Sequence, residues 1–140
     1  MKFDHEIKVY GDKSYRGDCP LEAPEQAAFF SRIRSVYPQS FGKIAVHNRN
    51  EGRRTWKQIA KEKAEGLTTG APDICIPGNP TFLCELKRRD HTKSTLSEKQ
   101  ERYLVIADKT GSFCCIALGV EAAWEAFEEW RKEQVKNIKS

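Results

Sequence analysis

The sequence lacks the features that define several protein classes. It has no apolar run near the ~18–20 residues of a membrane span, and its start, MKFDHEIKVYGDK, lacks the apolar core of a signal peptide. The five cysteines are an odd number and form no C-x-x-C pair. These absences exclude a disulfide scaffold and a zinc site, and we expect reduced, mostly buried cysteines in a cytoplasmic protein without a membrane partner.

The 140 residues suffice for one domain with a hydrophobic core. Domains commonly contain about 100–150 residues, and seven Phe, four Tyr and three Trp argue against disorder. No internal repeat, low-complexity tract or linker divides the chain. We therefore expect a single domain over 1–140, with an amino-terminal arm or hairpin at 1–20 and a core at 24–130.

Positive charge is concentrated in two stretches of the chain, whose net charge is +4. Residues 43–65 contain seven basic and three acidic side chains, and residues 85–109 contain seven and five. The segment 66–84 between them has a single charged side chain, Asp73. A basic surface attracts phosphates, so nucleic acid is a candidate partner. A solvated surface of mixed charge is the alternative.

The spacing of apolar residues predicts alternating helices and strands. Helices are expected at 24–37, 53–65 and 96–109 and from Val120 onward, and strands at 43–47, 73–76, 81–86 and 113–118. The turn Pro77-Gly78-Asn79-Pro80 joins two of these strands. This order predicts an α/β fold in which helices flank a mixed central sheet.

Asp73, Glu85 and Lys87 form the combination most indicative of chemistry. Glu85 and Lys87 are two residues apart on one predicted strand, so both side chains leave the same face. If the 77–80 turn pairs the strands, Asp73 lies near Glu85. Paired carboxylates favour Mg²⁺, and Lys87 could then orient or deprotonate a water, or contact a scissile phosphate. An ordinary hairpin with a cross-strand salt bridge is the alternative.

Glu25 is a further candidate because it shares a helix stripe with Phe29 and Ile33, which should face the core. A carboxylate on a buried stripe is costly unless it is paired, capped or bound to a metal. Compensation of the helix dipole is the alternative, since Glu25 lies in the first turn. Glu22 precedes Pro24 and is expected outside the helix.

Gln100 has two possible roles. It can close a capping box with Ser97 at the start of a helix. If the helix begins instead at Thr95, Gln100 is free to reach towards Lys87. The two histidines outside the amino-terminal segment, His47 and His91, are expected in surface or loop roles.

The order of these motifs resembles that of the PD-(D/E)XK nuclease superfamily. Five short motifs carry the resemblance: Pro24-Glu25-Gln26-x-x-Phe29, Asn50-Glu51-Gly52-Arg53, Gly70-Ala71-Pro72-Asp73, Glu85-Leu86-Lys87 and Ser97-x-x-Gln100-x-x-Tyr103. More narrowly, they look like the VRR-NUC domain, whose small standalone forms are common in bacteriophages. The resemblance covers roughly residues 24–130.

The resemblance implies a restriction-endonuclease-like core and metal-dependent hydrolysis of DNA. It implies Mg²⁺, for which Mn²⁺ can substitute, as the cofactor, and the host cytoplasm as the location of a phage-encoded form. The implied metal ligands are Glu25, Asp73, Glu85 and the backbone carbonyl of Leu86. The implied catalytic residues are Asp73, Glu85, Lys87 and Gln100.

Polar and basic side chains near these motifs are expected to contact the DNA backbone. They are Asn50, Arg53, Arg54, Lys57, Lys61, Arg88 and Arg89. Phosphate contacts position DNA without reading its sequence, and nothing resembles a base-reading helix. We therefore expect a structure-selective endonuclease acting on branched DNA, with the four-way (Holliday) junction as the leading substrate. A non-catalytic DNA-binding module and a structural protein with ordinary salt bridges are the alternatives.

A junction has two-fold symmetry, so two symmetric cuts require two active sites and favour a homodimer. Two groups of aromatic residues could form the dimer contact: Trp124, Phe127 and Trp130, or Tyr10 and Tyr15. Packing of the tryptophans on the sheet is the alternative.

Overall fold

Helices and strands alternate along the chain in the computed structural model, which describes residues 1–48, 55–66 and 68–137. In chain order they are β1 (Lys8–Tyr10), α1 (Glu22–Val36), α2 (Phe41–Ile44), β2 (Val46–His47), α3 (Trp56–Ala64), β3 (Ile74–Ile76), β4 (Phe82–Lys87), α4 (Glu98–Lys109), β5 (Phe113–Leu118) and α5 (Val120–Asn137). A 3₁₀ turn, His91–Lys93, precedes α4. Among these described helices, none has the length and apolar character required to cross a bilayer.

The described strands form one mixed sheet in the order β1-β5-β4-β3-β2. Strand β5 is parallel to both β1 and β4, whereas β3 is antiparallel to β4 and β2. The predicted α/β fold with helices around a mixed central sheet is therefore confirmed. Every residue of β4 is buried, because this strand is central in the sheet and helices cover both of its faces.

Side chains alternate between two cores, one on each face of the sheet. On one face, α1 and α5 contribute large aromatic residues that pack against Cys84 and Leu86 of β4. On the other face, Leu104 of α4 packs with Leu83 of β4. Because side chains alternate along a strand, Glu85 and Lys87 leave β4 on the same face as Leu83. The two charged residues of β4 therefore point to the side of the sheet that α4 covers.

The amino-terminal segment joins the sheet instead of forming the hairpin or loose arm that we expected. Residues Lys8–Tyr10 pair in parallel with β5, with Lys8 opposite Cys115. Ile7 and Tyr10 are buried on the two faces. A parallel partner more than a hundred residues away cannot be recognised from local alternation.

The strand expected at 43–47 is shorter than predicted, because its first two residues belong to a helix. Residues Phe41–Ile44 form α2, and β2 contains only Val46 and His47. The ring of Phe41 lies 5.4 Å from that of Trp130, and a Cβ atom on Gly42 would lie 2.6 Å from the carbonyl oxygen of Tyr37. The aromatic core and this close approach to the end of α1 hold the segment in a helical turn.

The aromatic residues of α5 belong to the core, so the dimer contact suggested for them is wrong. Phe127 and Trp130 have no exposed surface, and the ring of half-buried Trp124 lies 5.0 Å from that of Phe127. Tyr10 is also buried. The packing alternative for the tryptophans therefore holds.

Candidate active site

Asp73, Glu85 and Lys87 come together where β3 begins and β4 ends. The register pairs Ile74 with Cys84, so the preceding residue, Asp73, lies opposite Glu85. The Lys87 ammonium nitrogen lies 3.8 Å from Oε1 of Glu85. The local hairpin thus produces the juxtaposition that strand alternation indicated.

Leu86 contributes its amide to this cluster. Its N–H donates a hydrogen bond of 3.0 Å to Oδ2 of Asp73. This bond fixes the Asp73 carboxylate against the end of β4.

Gln100 fills both of the roles considered for it at once. It closes a capping box with Ser97 at the start of α4, in which its Oε1 accepts a bond of 2.9 Å from the Ser97 N–H. The same oxygen lies 3.3 Å from the Lys87 ammonium, and its Nε2 donates to Oε1 of Glu85 at 3.3 Å. A carbonyl oxygen has two lone pairs, so the cap and the active-site contact do not compete.

Glu85 is a buried carboxylate that is incompletely satisfied. It is 1% exposed, and its Oε2 atom has no hydrogen-bond partner in the described structure. Burial raises the pKa of Glu85 well above its ordinary value, and Asp73 raises it further by repulsion and by a bond to the protonated form. Lys87 opposes this shift. When both carboxylates are ionised, they carry two negative charges against the single positive charge of Lys87. A proton or a cation would neutralise the remaining negative charge.

The chemistry of this donor set fits Mg²⁺. The described residues include no cluster of three or more His, Cys, Asp or Glu side chains arranged to hold a metal. Mg²⁺ does not require one, since it usually keeps several waters and binds through one or two carboxylates. Asp73 and Glu85 supply two, and the partnerless Oε2 atom of Glu85 is a hard oxygen ligand without a competing donor.

Glu25 makes none of these contacts in the described structure. It is buried, as its helix stripe indicated, and its Oε2 accepts a hydrogen bond from the N–H of Val120, the first residue of α5. Helix α1 packs on the face of the sheet opposite to Glu85 and Lys87. The described contacts thus give Glu25 the dipole-compensating role, but towards α5 and not towards its own helix.

Glu22 is the acid of α1 that reaches the cluster, and the prediction that it lies outside the helix is wrong. Its Oε1 lies 3.7 Å from the Lys87 ammonium and accepts a bond of 3.3 Å from the Ser94 hydroxyl. Helix α1 begins at Glu22, which places Pro24 third. The first turn of a helix has unpaired N–H groups, so proline costs no hydrogen bond there. A predicted helix that began at Glu22 instead of Pro24 would have indicated that Glu22 belongs to α1.

His47 lies closer to the candidate site than its expected surface role suggested. Its Nδ1 is 2.9 Å from the backbone oxygen of Asp73, which also accepts a bond from the N–H of Asn48. Strand β2 therefore supports the backbone of Asp73. The contact follows from the pairing of β2 with β3, which places His47 opposite Ile74, the residue after Asp73. His91 lies elsewhere, with its Nδ1 atom 3.3 Å from the amino terminus.

The polar and basic residues expected to contact DNA differ in their surroundings. Lys57 and Lys61 are exposed on α3, and Lys61 makes one long ion pair with Glu65 at 3.9 Å. Arg88 donates to the carbonyl oxygens of Cys19 and Pro20, so it ties the amino-terminal segment to the end of β4. Exposed Arg89 stacks on Tyr15 at 3.9 Å. Asn50, Arg53 and Arg54 lie outside the described residues.

Comparison with known proteins identifies the fold. No family model matches the chain, and no curated protein matches it either. A solved structure described as "VRR_NUC domain protein" superposes with a TM-score of 0.67 over 82% of this chain and 91% of that chain, at 17% sequence identity. The chain therefore has a VRR-NUC-like fold.

Proposed function

We propose that this protein is a metal-dependent endonuclease that hydrolyses phosphodiester bonds in DNA and prefers branched DNA. The observation that carries the proposal is the buried Glu85 carboxylate, whose Oε2 atom has no partner, beside Asp73 and Lys87 at the end of β4. Burying a carboxylate with one unsatisfied oxygen costs stability. A binding module gains nothing from that cost, whereas a hydrolase uses such a site to hold a cation.

Asp73 and Glu85 would hold Mg²⁺ or Mn²⁺, with the Leu86 carbonyl as the further ligand that the resemblance implies. The ion, when bound, makes a water more acidic and offsets charge on the phosphate. Lys87 lies within a side chain's reach of both acids and would orient the attacking water or donate a hydrogen bond to a phosphate oxygen. Gln100 holds the Lys87 ammonium in place through its Oε1 atom.

Glu22 replaces Glu25 as the acid of α1 in this proposal. Its contact with Lys87 is a second restraint on the ammonium group, in addition to that of Gln100. Glu22 is 43% exposed at its side chain, so it also faces the solvent from which DNA approaches. Glu25 is already engaged by the Val120 N–H.

The exposed cations on α3 and beside β4 support DNA as the substrate. Lys57, Lys61 and Arg89 have side chains open to solvent, where they would contact phosphates without reading bases. This mode of contact favours recognition of DNA shape, which is why we propose branched DNA and in particular the four-way junction. Arg88 contributes indirectly, by holding residues 19 and 20 next to the site.

The test is a cleavage panel of duplex, flap, splayed and four-way-junction DNA with Mg²⁺, Mn²⁺, Ca²⁺ or EDTA. We expect the wild type to cut junctions fastest with Mg²⁺ or Mn²⁺. Asp73→Asn and Glu85→Gln should each abolish cleavage while retaining junction binding in Ca²⁺. Asp108→Asn and Glu133→Gln, which change the same charge at exposed positions on α4 and α5, are the matched controls.

Three results would contradict the proposal. Full activity of Asp73→Asn and Glu85→Gln would show that these two carboxylates do not hold a catalytic metal ion. Absence of cleavage on every substrate, with tight DNA binding, would establish the non-catalytic module. Equal cutting of all substrates would remove the preference for branched DNA.

A further inference from the structure

A groove opens beside the candidate site, between α3, α4 and the segment that connects α3 to β3. Its volume is about 490 Å³, within the range of ligand-binding clefts. Its walls are formed by Lys63 and Gly66 on one side, by Thr68 and Thr69 at one end, and by Lys99, Arg102, Tyr103 and Ile106 of α4. None of the residues named for the cleavage site lines it.

The groove is positively charged. Its described lining contains three basic side chains, Lys63, Lys99 and Arg102, and no acid. Lys63 and Lys99 form no ion pair with the described residues. Arg102 pairs with Glu98 at 2.9 Å, but both side chains are well exposed, and such surface pairs are weak and easily exchanged. The groove therefore offers three cations to an anionic ligand.

The same groove continues into an apolar cavity of about 420 Å³. The two spaces share Thr68, Tyr103 and Ile106, and Leu83 contributes to the lining of the second. Tyr103 is half-buried, and Ile106 is 56% exposed. An aromatic ring and an exposed aliphatic side chain thus lie next to three cations, a combination that suits a nucleotide, which carries both a flat apolar base and a phosphate.

The groove is tied to the cleavage site through both of its walls. Lys99, Arg102, Tyr103 and Ile106 have the spacing of one helix stripe, and Gln100, the next residue after Lys99, contacts Glu85. The other wall passes through Gly70 to Asp73. A Cβ atom on Gly70 would lie 2.6 Å from the backbone oxygen of Lys99, so the connecting segment packs directly on α4. A strand that left the site along α4 would therefore enter this groove.

We propose that the groove binds a single-stranded segment of DNA next to the scissile phosphate, with its phosphates on Lys63, Lys99 and Arg102 and a base on Tyr103. This inference rests on the proposed function. A duplex keeps its bases stacked inside and can offer only its backbone, whereas an unpaired strand can place a base on Tyr103. Branched DNA contains unpaired or frayed bases at its branch point, which would account for a preference for it.

Binding of a fluorescent 12-nucleotide oligo(dT) and of a blunt duplex, measured by anisotropy in Ca²⁺, tests the charge contribution. The double variant Lys63→Gln, Lys99→Gln should bind the oligonucleotide several-fold more weakly. Its slope of log K against log salt should fall by about 1.4, since each phosphate contact to a single strand contributes ~0.7. The control double variant Lys43→Gln, Lys132→Gln makes the same charge change at exposed positions on α2 and α5 and should leave that slope unchanged.

Two substitutions of Tyr103 test the stacking contribution. Tyr103→Leu should weaken oligonucleotide binding about tenfold, because base–aromatic stacking is lost, and should leave duplex binding unchanged. Tyr103→Phe keeps the ring and should bind as the wild type does. Thermal unfolding of both variants shows whether the loss follows from the ring or from a destabilised fold, since Tyr103 also packs on the second core.

The outcomes separate this inference from the proposed function. If Lys63→Gln, Lys99→Gln binds both DNAs like the control, the groove is not a DNA site, even where Asp73→Asn abolishes cleavage. Equal losses for oligonucleotide and duplex would overturn the single-strand assignment. Conversely, the wild type could cut no DNA while the groove variants bind the oligonucleotide more weakly than the wild type does. That result would overturn the nuclease function and support the groove as a DNA-binding site.

Discussion

Among individual residues, Glu85 has the environment with the clearest thermodynamic consequence. Burial and the neighbouring Asp73 raise its pKa well above the ordinary value of 4.5. Between pH 4.5 and that raised pKa, the folded protein binds a proton that the unfolded chain has released. The stability linked to Glu85 is therefore greatest below pH 4.5 and is lost as the pH rises through this interval.

Glu85→Gln tests this linkage, because glutamine keeps the shape and cannot ionise. In EDTA at pH 7, the variant should unfold at a higher temperature than the wild type, and the difference should shrink towards pH 4.5. Mg²⁺ should raise the unfolding temperature of the wild type only. Circular dichroism melts at pH 5, 6, 7 and 8 measure all three effects. Identical pH dependences of the two proteins would show that Glu85 is ionised in the metal-free fold at no cost.

Glu22 and Glu25 are one helix turn apart but have different partners, so their substitutions should separate catalysis from stability. Glu25→Gln weakens the bond to the Val120 N–H and should lower the free energy of unfolding by about 1–2 kcal/mol. Glu22→Gln loosens Lys87 and should lower the cleavage rate with little change in stability. Urea unfolding and single-turnover cleavage measure the two quantities. The reverse pattern would return Glu25 to the metal site.

At the scale of elements, α3 and α4 each begin with a capping box of the same kind. Ser97 and Gln100 cap α4, and Thr55 and Gln58 cap α3 in the same way. In the described contacts of the two boxes, only Gln100 also reaches the candidate site. The start of α4 is thus both a structural cap and the support of Lys87, whereas Thr55 and Gln58 make no described contact with the candidate site.

Ser97→Ala and Thr55→Ala should therefore differ in their effect on activity. Each should cost about 1 kcal/mol of helix stability, because the side-chain cap is lost. Ser97→Ala should in addition slow cleavage, since the Gln100 backbone N–H loses the Ser97 hydroxyl as its acceptor and the first turn of α4, which positions the Gln100 side chain, is loosened. Cleavage rates measured well below the unfolding temperature of both variants decide the matter. Equal rates for the two variants would mean that Gln100 needs no cap to hold Lys87.

At the scale of the whole molecule, the exposed and buried apolar side chains bear on whether two copies assemble. Phe127 and Trp130 of α5 are fully buried and cannot supply a dimer contact. Other large apolar side chains are exposed, with Trp56 of α3 the most exposed of those described. The symmetry of a four-way junction still favours two sites in one particle.

We expect a homodimer when junction DNA is present, cutting the two symmetric strands in a coordinated way. Light scattering over a concentration series, with and without a junction, measures the mass, and product analysis on a cruciform plasmid shows whether the two cuts are paired. A blunt duplex of equal length is the control. A monomer under both conditions with unpaired nicks would leave a structure-selective nickase.

The sequence by itself determined the local parts of this protein. Strand alternation and the 77–80 turn predicted that Asp73, Glu85 and Lys87 converge, and they do, because a short hairpin requires only neighbouring residues. The same periodicity predicted the α/β order, the buried stripe of Glu25 and the buried β5. Ser97 and Gln100 were recognisable as a capping box for the same reason.

Only the tertiary structure decided which face and which partner each residue has. It packed α1 on the face of the sheet opposite to Glu85, where Glu25 meets the start of α5, and it placed the first residue of that helix, Glu22, 3.7 Å from the Lys87 ammonium. It also paired β1 with β5 and placed Lys99 and Tyr103 in the lining of the groove. These contacts join residues far apart in the chain, so they depend on how all the elements pack together and not on the spacing within any one of them.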